Sequence, residues 1–189
     1  MRRICVYCGS SPGENGLYTQ AAEDLADVLV GNGIELVYGG ASKGTMGILA
    51  DAVLERGGAV HGVIPRMLEE KEIAHTGLTQ LHVVASMHER KSMMAALSDG
   101  FIALPGGFGT LEELIEMLTW GQLRFHDKPS GVLNVLGYFD KLFEFLDHMH
   151  KEGFLRAENR AMLLYDDDPA GLILQFERYT APHIEKWPD

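Results

Sequence analysis

Short runs of uninterrupted apolar residues alternate along this chain with longer stretches in which apolar positions recur at helical spacing. Ile4-Cys5-Val6-Tyr7-Cys8 is the first run and predicts a buried strand. After the loop Gly9-Ser10-Ser11-Pro12-Gly13, the residues Ala21, Ala22, Leu25, Ala26, Leu29 and Val30 fall on one helical stripe, which Gly31 and Gly33 close. Leu36-Val37-Tyr38 predicts a second strand, followed by Gly39-Gly40-Ala41-Ser42-Lys43-Gly44 and a helix from about Thr45 to Arg56 that ends at Gly57-Gly58. Val60 to Ile64 predicts a third strand, stopped by Pro65. The polar segment from Arg66 to Gly77 has weak periodicity and reads as a functional loop or short helix. Leu81 to Ala85 predicts a fourth strand, Met87 to Leu97 a helix, and Phe101-Ile102-Ala103-Leu104 a fifth strand. Next comes a helical pattern with Leu111, Leu114, Ile115 and Leu118 on one face. A sixth strand near Val132 to Val135, a helix from Phe139 to about Glu152, a short strand near Met162 to Tyr165 and a helix after Pro169 complete the series.

This alternation predicts an α/β fold, a Rossmann-like doubly wound parallel sheet flanked by helices on both faces. Any ligand belongs beyond the carboxyl ends of the strands. Residues 1–189 read as a single domain, because the length suffices for a full core and no linker, repeat or low-complexity segment divides it. An apolar share of 46% with 23% charged residues places the chain among ordinary globular proteins and excludes disorder. No stretch approaches the roughly 18 apolar residues of a membrane span, and Met1-Arg2-Arg3-Ile4 runs into a strand pattern without a signal-peptide cleavage region. Both features predict a cytoplasmic protein with no membrane partner. The formal net charge of −11 argues against a nucleic-acid partner. It leaves a small phosphorylated ligand open, since a nest of N–H groups with one or two cations suffices. Cys5 and Cys8 are three apart in a strand, so they face opposite sides and read as core residues rather than a redox or zinc pair.

The chemistry concentrates in Pro105-Gly106-Gly107-Phe108-Gly109-Thr110-Leu111-Glu112-Glu113. A strand, a glycine-rich turn and a helix start in that order make an anion site, with N–H groups pointing outward and the helix dipole behind them. The first loop lacks G-x-G-x-x-G and no acidic residue ends the second strand, so NAD fits poorly. No lysine completes a Walker loop. Gly40-Ala41-Ser42-Lys43-Gly44 matches the G-x-S-x-G elbow, and Asp166 or Asp168 with His183 would complete a serine hydrolase order, although only one βα unit precedes Ser42. Glu113 has two readings. Thr110-Leu111-Glu112-Glu113 is a T-x-x-E capping box in which Glu113 accepts the N–H of Thr110; a carboxylate fixed there could instead stabilise positive charge at a sugar carbon or activate water. Arg90 and Lys91 follow the S-x-x-E box of Ser86-Met87-His88-Glu89, at the helix end where positive charge is unfavourable. They are either a solvated face or a functional placement. The eight histidines show no metal-binding spacing.

On these residues the chain resembles the LOG (LONELY GUY) family, the cytokinin riboside 5′-monophosphate phosphoribohydrolases. Pro105 to Glu113 matches the P-G-G-x-G-T-x-x-E signature, and Met87-His88-Glu89-Arg90-Lys91 matches M-x-x-R-K. The likeness extends from Cys8-Gly9-Ser10-Ser11 through Tyr38-Gly39-Gly40 to Trp120-Gly121-Gln122-Leu123 and His126-Asp127-Lys128-Pro129. Ala41, Thr45, Gly121 and Arg124 depart from the commoner residues, and none touches the two signatures. The resemblance implies hydrolysis of the N-glycosidic bond of an N6-substituted adenosine 5′-monophosphate, with no metal or organic cofactor, in a homodimer. It places Arg90 and Glu113 at the essential arginine and glutamate. It places Glu72, Lys91, Gly107, Phe108, Gly109, Thr110, Leu111, Glu112 and Thr119 at substrate-contacting positions. A lysine decarboxylase label is also attached to this family, but no pyridoxal-phosphate lysine context is recognisable here. A noncatalytic nucleotide or molybdenum-cofactor carrier on the same frame is the alternative.

Overall fold

The computed structural model describes residues 1–69 and 74–182. Among them seven strands form one sheet: β1 (Arg3–Tyr7), β2 (Glu35–Tyr38), β3 (Val60–Pro65), β4 (Gln80–Val84), β5 (Gly100–Ala103), β6 (Ser130–Leu133) and β7 (Leu163–Asp166). Every neighbouring pair is parallel, in the order β4-β3-β2-β1-β5-β6-β7. The helices are α1 (Gly16–Gly31), α2 (Gly44–Glu55), α3 (Arg66–Glu69), α4 (Met87–Leu97), α5 (Phe108–Gln122), α6 (Asp140–Lys151), α7 (Ala157–Arg160) and α8 (Pro169–Arg178). The doubly wound Rossmann-like arrangement expected from the alternation is the one the chain forms, and each apolar run supplies a strand to within two residues.

The sheet carries a core on each face. Ile4, Val6, Leu36 and Tyr38 pack with α1, α2 and α8, while Cys5, Tyr7, Val37 and Phe101 pack with α4, α5 and α6. Period-two alternation along β1 therefore sends Cys5 and Cys8 to opposite layers, where both are buried and free.

α5 departs from the sequence expectation in two ways. Its first turn begins at Phe108, with Gly107 as the extended N-cap residue (φ −90°, ψ −155°). Thr110 is thus inside the helix and buried, so the T-x-x-E pattern is no capping box and Glu113 is released from that role. The stripe facing the sheet is Thr110, Glu113, Leu114 and Met117. Ile115 lies about 100° around from Leu114 and is 39% exposed.

Two loops at the carboxyl ends of the strands interlock. The Met46 N–H reaches the Gly9 carbonyl (3.3 Å), and the Thr45 hydroxyl donates to the Ser11 carbonyl (3.2 Å). Between them Gly44 adopts φ +60°, and a Cβ there would stand 2.2 Å from the Ser10 carbonyl carbon and 2.4 Å from the Ser11 nitrogen. Both obstacles are backbone. Gly44→Ala is therefore expected to cost about 3 kcal/mol or more in denaturant unfolding, since left-handed strain and overpacking add. Gly57→Ala shares the left-handed φ (+79°) but meets open space, and is expected to cost only about 1 kcal/mol.

Candidate active site

The strand order reverses between β1 and β5, so the loops that follow these two strands diverge and leave a crevice at the carboxyl edge of the sheet. A cavity of about 300 Å³ occupies it, walled by Gly9 to Gly13 after β1 and Pro105 to Gly107 after β5, with Tyr18 and Tyr138 closing the sides. Tyr138 is delivered by a tight turn after β6 in which Leu136 (φ 54°) and Gly137 (φ 69°) are both left-handed. Its hydroxyl donates to the Gly106 carbonyl (2.7 Å), tying the turn after β6 to the turn after β5. Neither tyrosine carries a signal in the sequence, because each reaches the crevice only through the fold.

α5 borders this crevice through its N-cap residue, Gly107. Among the described residues no side chain caps it; the Leu111 N–H returns to the Gly107 carbonyl (3.2 Å). The N–H groups of Phe108, Gly109 and Thr110 precede that first return bond, and they form the positive end of the helix dipole. Gly107 and Gly109 are not glycine for internal reasons: a Cβ at either would meet nothing within 4 Å among the described residues. Their missing side chains leave clearance for something outside the chain. Gly106 is different, because a Cβ there would stand 2.2 Å from Thr110 Oγ1, the side chain that lies over it. Phe108, the first residue of α5, is 93% exposed.

α4 supplies the cations. Ser86 Oγ accepts the Glu89 N–H (3.1 Å), and the Glu89 carboxylate reaches back to the Ala85 N–H (2.8 Å), so the box forms one residue displaced at its second bond. Arg90 and Lys91 are each only 9% exposed, which rules out the solvated-face reading. Arg90 Nε donates to the Val63 carbonyl (3.0 Å) and Nη1 to Glu113 Oε1 (2.6 Å). Lys91 Nζ donates to Glu112 Oε1 (2.5 Å) and Glu116 Oε1 (3.0 Å). The unfavourable placement of two cations at the start of α4 is thus answered by three carboxylates on α5.

Glu113 is buried, 8% exposed, and close enough to Cys5, Tyr7 and Cys8 for its charge to act on all three. Burial pushes its carboxyl up, and the Arg90 charge and hydrogen bond pull it down without cancelling the rise. Its Oε1 is taken by Arg90, and among the described residues no group donates to Oε2. Burial, followed by the Glu113 charge, keeps the thiols of Cys5 and Cys8 protonated, so neither is a nucleophile here. A buried carboxylate paired with one arginine, with a lone-pair oxygen left for a ligand, can stabilise developing positive charge or orient water.

The remaining expectations separate. Glu72 lies outside the described residues. Thr119 sits on the outer face of α5, where its hydroxyl returns to the Ile115 carbonyl (2.7 Å). There it borders a wide, open depression shared with Phe108, Leu111, Glu112 and Trp120. The serine-elbow triad does not assemble. Ser42 follows β2 and Asp166 ends β7, four strand steps away, or roughly 19 Å at about 4.8 Å per step. Asp168 is occupied in capping α8 through the Gly171 N–H (2.9 Å), and His183 lies outside the described residues. Among the described residues no group of three or more histidine, cysteine, aspartate or glutamate side chains is placed to hold a metal ion.

A family model described as "Possible lysine decarboxylase" matches residues 46–176. The chain is 47% identical over 182 residues to the cytokinin riboside 5′-monophosphate phosphoribohydrolase LOG3 of Arabidopsis thaliana, covering 96% of this chain and 85% of that one. It is 47% identical over 179 residues to the phosphoribohydrolase LOG of Oryza sativa subsp. japonica, covering 95% and 74%. Among solved structures it is similar to the molybdenum cofactor carrier protein of Chlamydomonas reinhardtii (TM-score 0.69, 22% identity, 94% of this chain and 96% of that one). It is similar as well to the molybdenum cofactor binding protein of Rippkaea orientalis (TM-score 0.70, 20% identity, 94% and 96%). At these identities the structural likeness speaks for the fold alone.

Proposed function

The chain belongs to the LOG family of phosphoribohydrolases, and from that premise we propose that it hydrolyses the N-glycosidic bond of cytokinin riboside 5′-monophosphates, releasing the free base and ribose 5-phosphate. The observation that carries this reading is the buried Glu113–Arg90 pair placed beside the uncapped, glycine-cleared terminus of α5.

The 5′-phosphate rests on the N–H groups from Gly107 to Thr110, where the helix dipole favours a dianion. Glu113 Oε2 then faces the ribose. As the bond between C1′ and the base nitrogen breaks, positive charge grows on the ribose, and the fixed carboxylate stabilises it. The base departs with the bonding electron pair and takes up a proton, while water oriented by the same carboxylate supplies the oxygen that bonds to C1′. Arg90 keeps Glu113 ionised in its buried setting and fixes the carboxylate plane. Lys91 is ill suited to the Schiff base of a decarboxylase: burial alone would lower its ammonium, but Glu112 and Glu116 hold it above its ordinary value and charged.

A homodimer belongs to the same reading, supported by the exposed apolar residues Phe108, Ile115, Leu123 and Phe125 along and just beyond α5. A cytoplasmic setting accords with two free, buried cysteines. Among the described residues no helix is long and apolar enough to cross a membrane.

Incubating the purified protein with AMP or with isopentenyladenosine 5′-monophosphate, then separating the products by chromatography, tests the activity. The expected result is free base and ribose 5-phosphate in equal amounts. Tight nucleotide binding with no product would replace the hydrolase by a carrier.

A further inference from the structure

We propose that Gly39, at the end of β2, is a positioning residue for this site: it leaves empty the slot into which the Arg90 guanidinium fits to meet Glu113. The proposal rests on the hydrolase reading for its kinetic consequence and on geometry for its cause. A Cβ built on Gly39 would stand 2.2 Å from Arg90 Nη2, 3.4 Å from its Cζ and 3.1 Å from the Met46 sulfur. Unlike Gly40 (φ +77°), Gly39 is not in the left-handed region, so its backbone does not call for glycine. What it accommodates is the end of one side chain.

Arg90 is held from several directions. Its Nε meets β3 at the Val63 carbonyl, its Nη1 meets α5 at Glu113, and its Nη2 lies over the end of β2. A side chain at position 39 takes the space that Nη2 fills. The group that collides is the far end of a flexible arginine, whereas at Gly44 it is backbone, so the fold accepts alanine here by turning the guanidinium away. Glu113 then loses its one charged hydrogen-bond partner while remaining buried.

Gly39→Ala is expected to lower kcat about 10- to 100-fold with KM changed less than about threefold, because the phosphate cradle is untouched and only the carboxylate's orientation and charge are affected. The second arm uses Arg90→Lys, which lacks the colliding nitrogen. In that background Gly39→Ala is expected to cost less than about twofold in kcat and to leave the melting temperature where Arg90→Lys alone puts it. Equal losses in both backgrounds, or unfolding in both, would overturn the proposal, since the obstruction would then be Met46 or backbone. If the wild-type protein releases no base, the hydrolase reading fails by itself. The coupling of the two substitutions in melting temperature still decides the positioning claim: non-additive shifts sustain it and additive shifts reject it.

Discussion

Glu113→Gln is expected to lower base release from a nucleoside 5′-monophosphate by about 10³-fold while the protein stays folded. Glutamine keeps the size of the side chain, and its amide oxygen can still accept from Arg90 Nη1, so the 2.6 Å contact has a neutral substitute. What is lost is the negative charge that the proposed mechanism sets against C1′. The pH dependence carries the same signature. Burial raises the Glu113 carboxyl above its ordinary value of 4.5 and Arg90 only partly restores it, so the acid limb of kcat/KM is expected above the ordinary carboxylate range. The stability effect has the opposite sense to that of a surface salt bridge. Because the folded-state value is the higher one, the protonated carboxyl favours the fold. Stability is then lost as the pH rises from 4.5 through the raised value. Glu113→Gln removes that slope. Steady-state kinetics with melts across the acid range check both parts. A variant within tenfold of wild-type kcat would remove Glu113 from the chemistry.

The parts of this site legible in the sequence are those set by local pattern. Apolar runs bounded by glycine and proline give the strand positions, and the helix Met87–Leu97 starts where the S-x-x-E pattern at Ser86 places it. The α5 terminus departs from its local pattern for a definite reason. T-x-x-E is a local signature, and it cannot register that Thr110 packs over Gly106 while Gly107 takes the cap position three residues earlier. Spacing alone places Ile115 inward, yet the sheet selects the neighbouring stripe through Leu114 and Met117. Arg90 and Lys91 lie between these cases. Their position at the wrong end of a helix dipole was visible, but the compensation comes from Glu112, Glu113 and Glu116, more than 20 residues onward. Tyr138 and Gly39 were silent as functional positions because their meaning exists only across the sheet: one meets the Gly106 carbonyl, the other the Arg90 guanidinium.

Gly107→Asp is expected to make the protein more stable and much less active on phosphorylated substrate, an opposition that a merely structural loop would not produce. Position 107 has room for a side chain, since a Cβ meets nothing within 4 Å among the described residues, and its extended backbone is one that any residue adopts. Aspartate at an N-cap satisfies the N–H groups of the following turn and favours the helix by about 1 kcal/mol. Those N–H groups are the ones assigned to the 5′-phosphate, and a carboxylate among them both occupies and repels. The walls of the crevice, Gly9 to Gly13, Pro105 to Gly107, Tyr18 and Tyr138, include no basic residue, and Lys91 is already neutralised by two carboxylates. In the proposed placement the phosphate depends on backbone donors and dipole, with no cation from those walls to compensate their loss. In the wild-type protein kcat/KM for the monophosphate is expected to exceed that for the free nucleoside by about 10³-fold, because binding energy at the phosphate is used to place C1′ against Glu113. In Gly107→Asp that ratio is expected to fall toward unity, through loss on the monophosphate with the nucleoside rate unchanged. Comparing the two substrates in both proteins, alongside their melting temperatures, measures it. A wild-type ratio near one, or a variant that keeps the wild-type preference, would move the phosphate away from the α5 terminus and leave Glu113 without a substrate positioned by it.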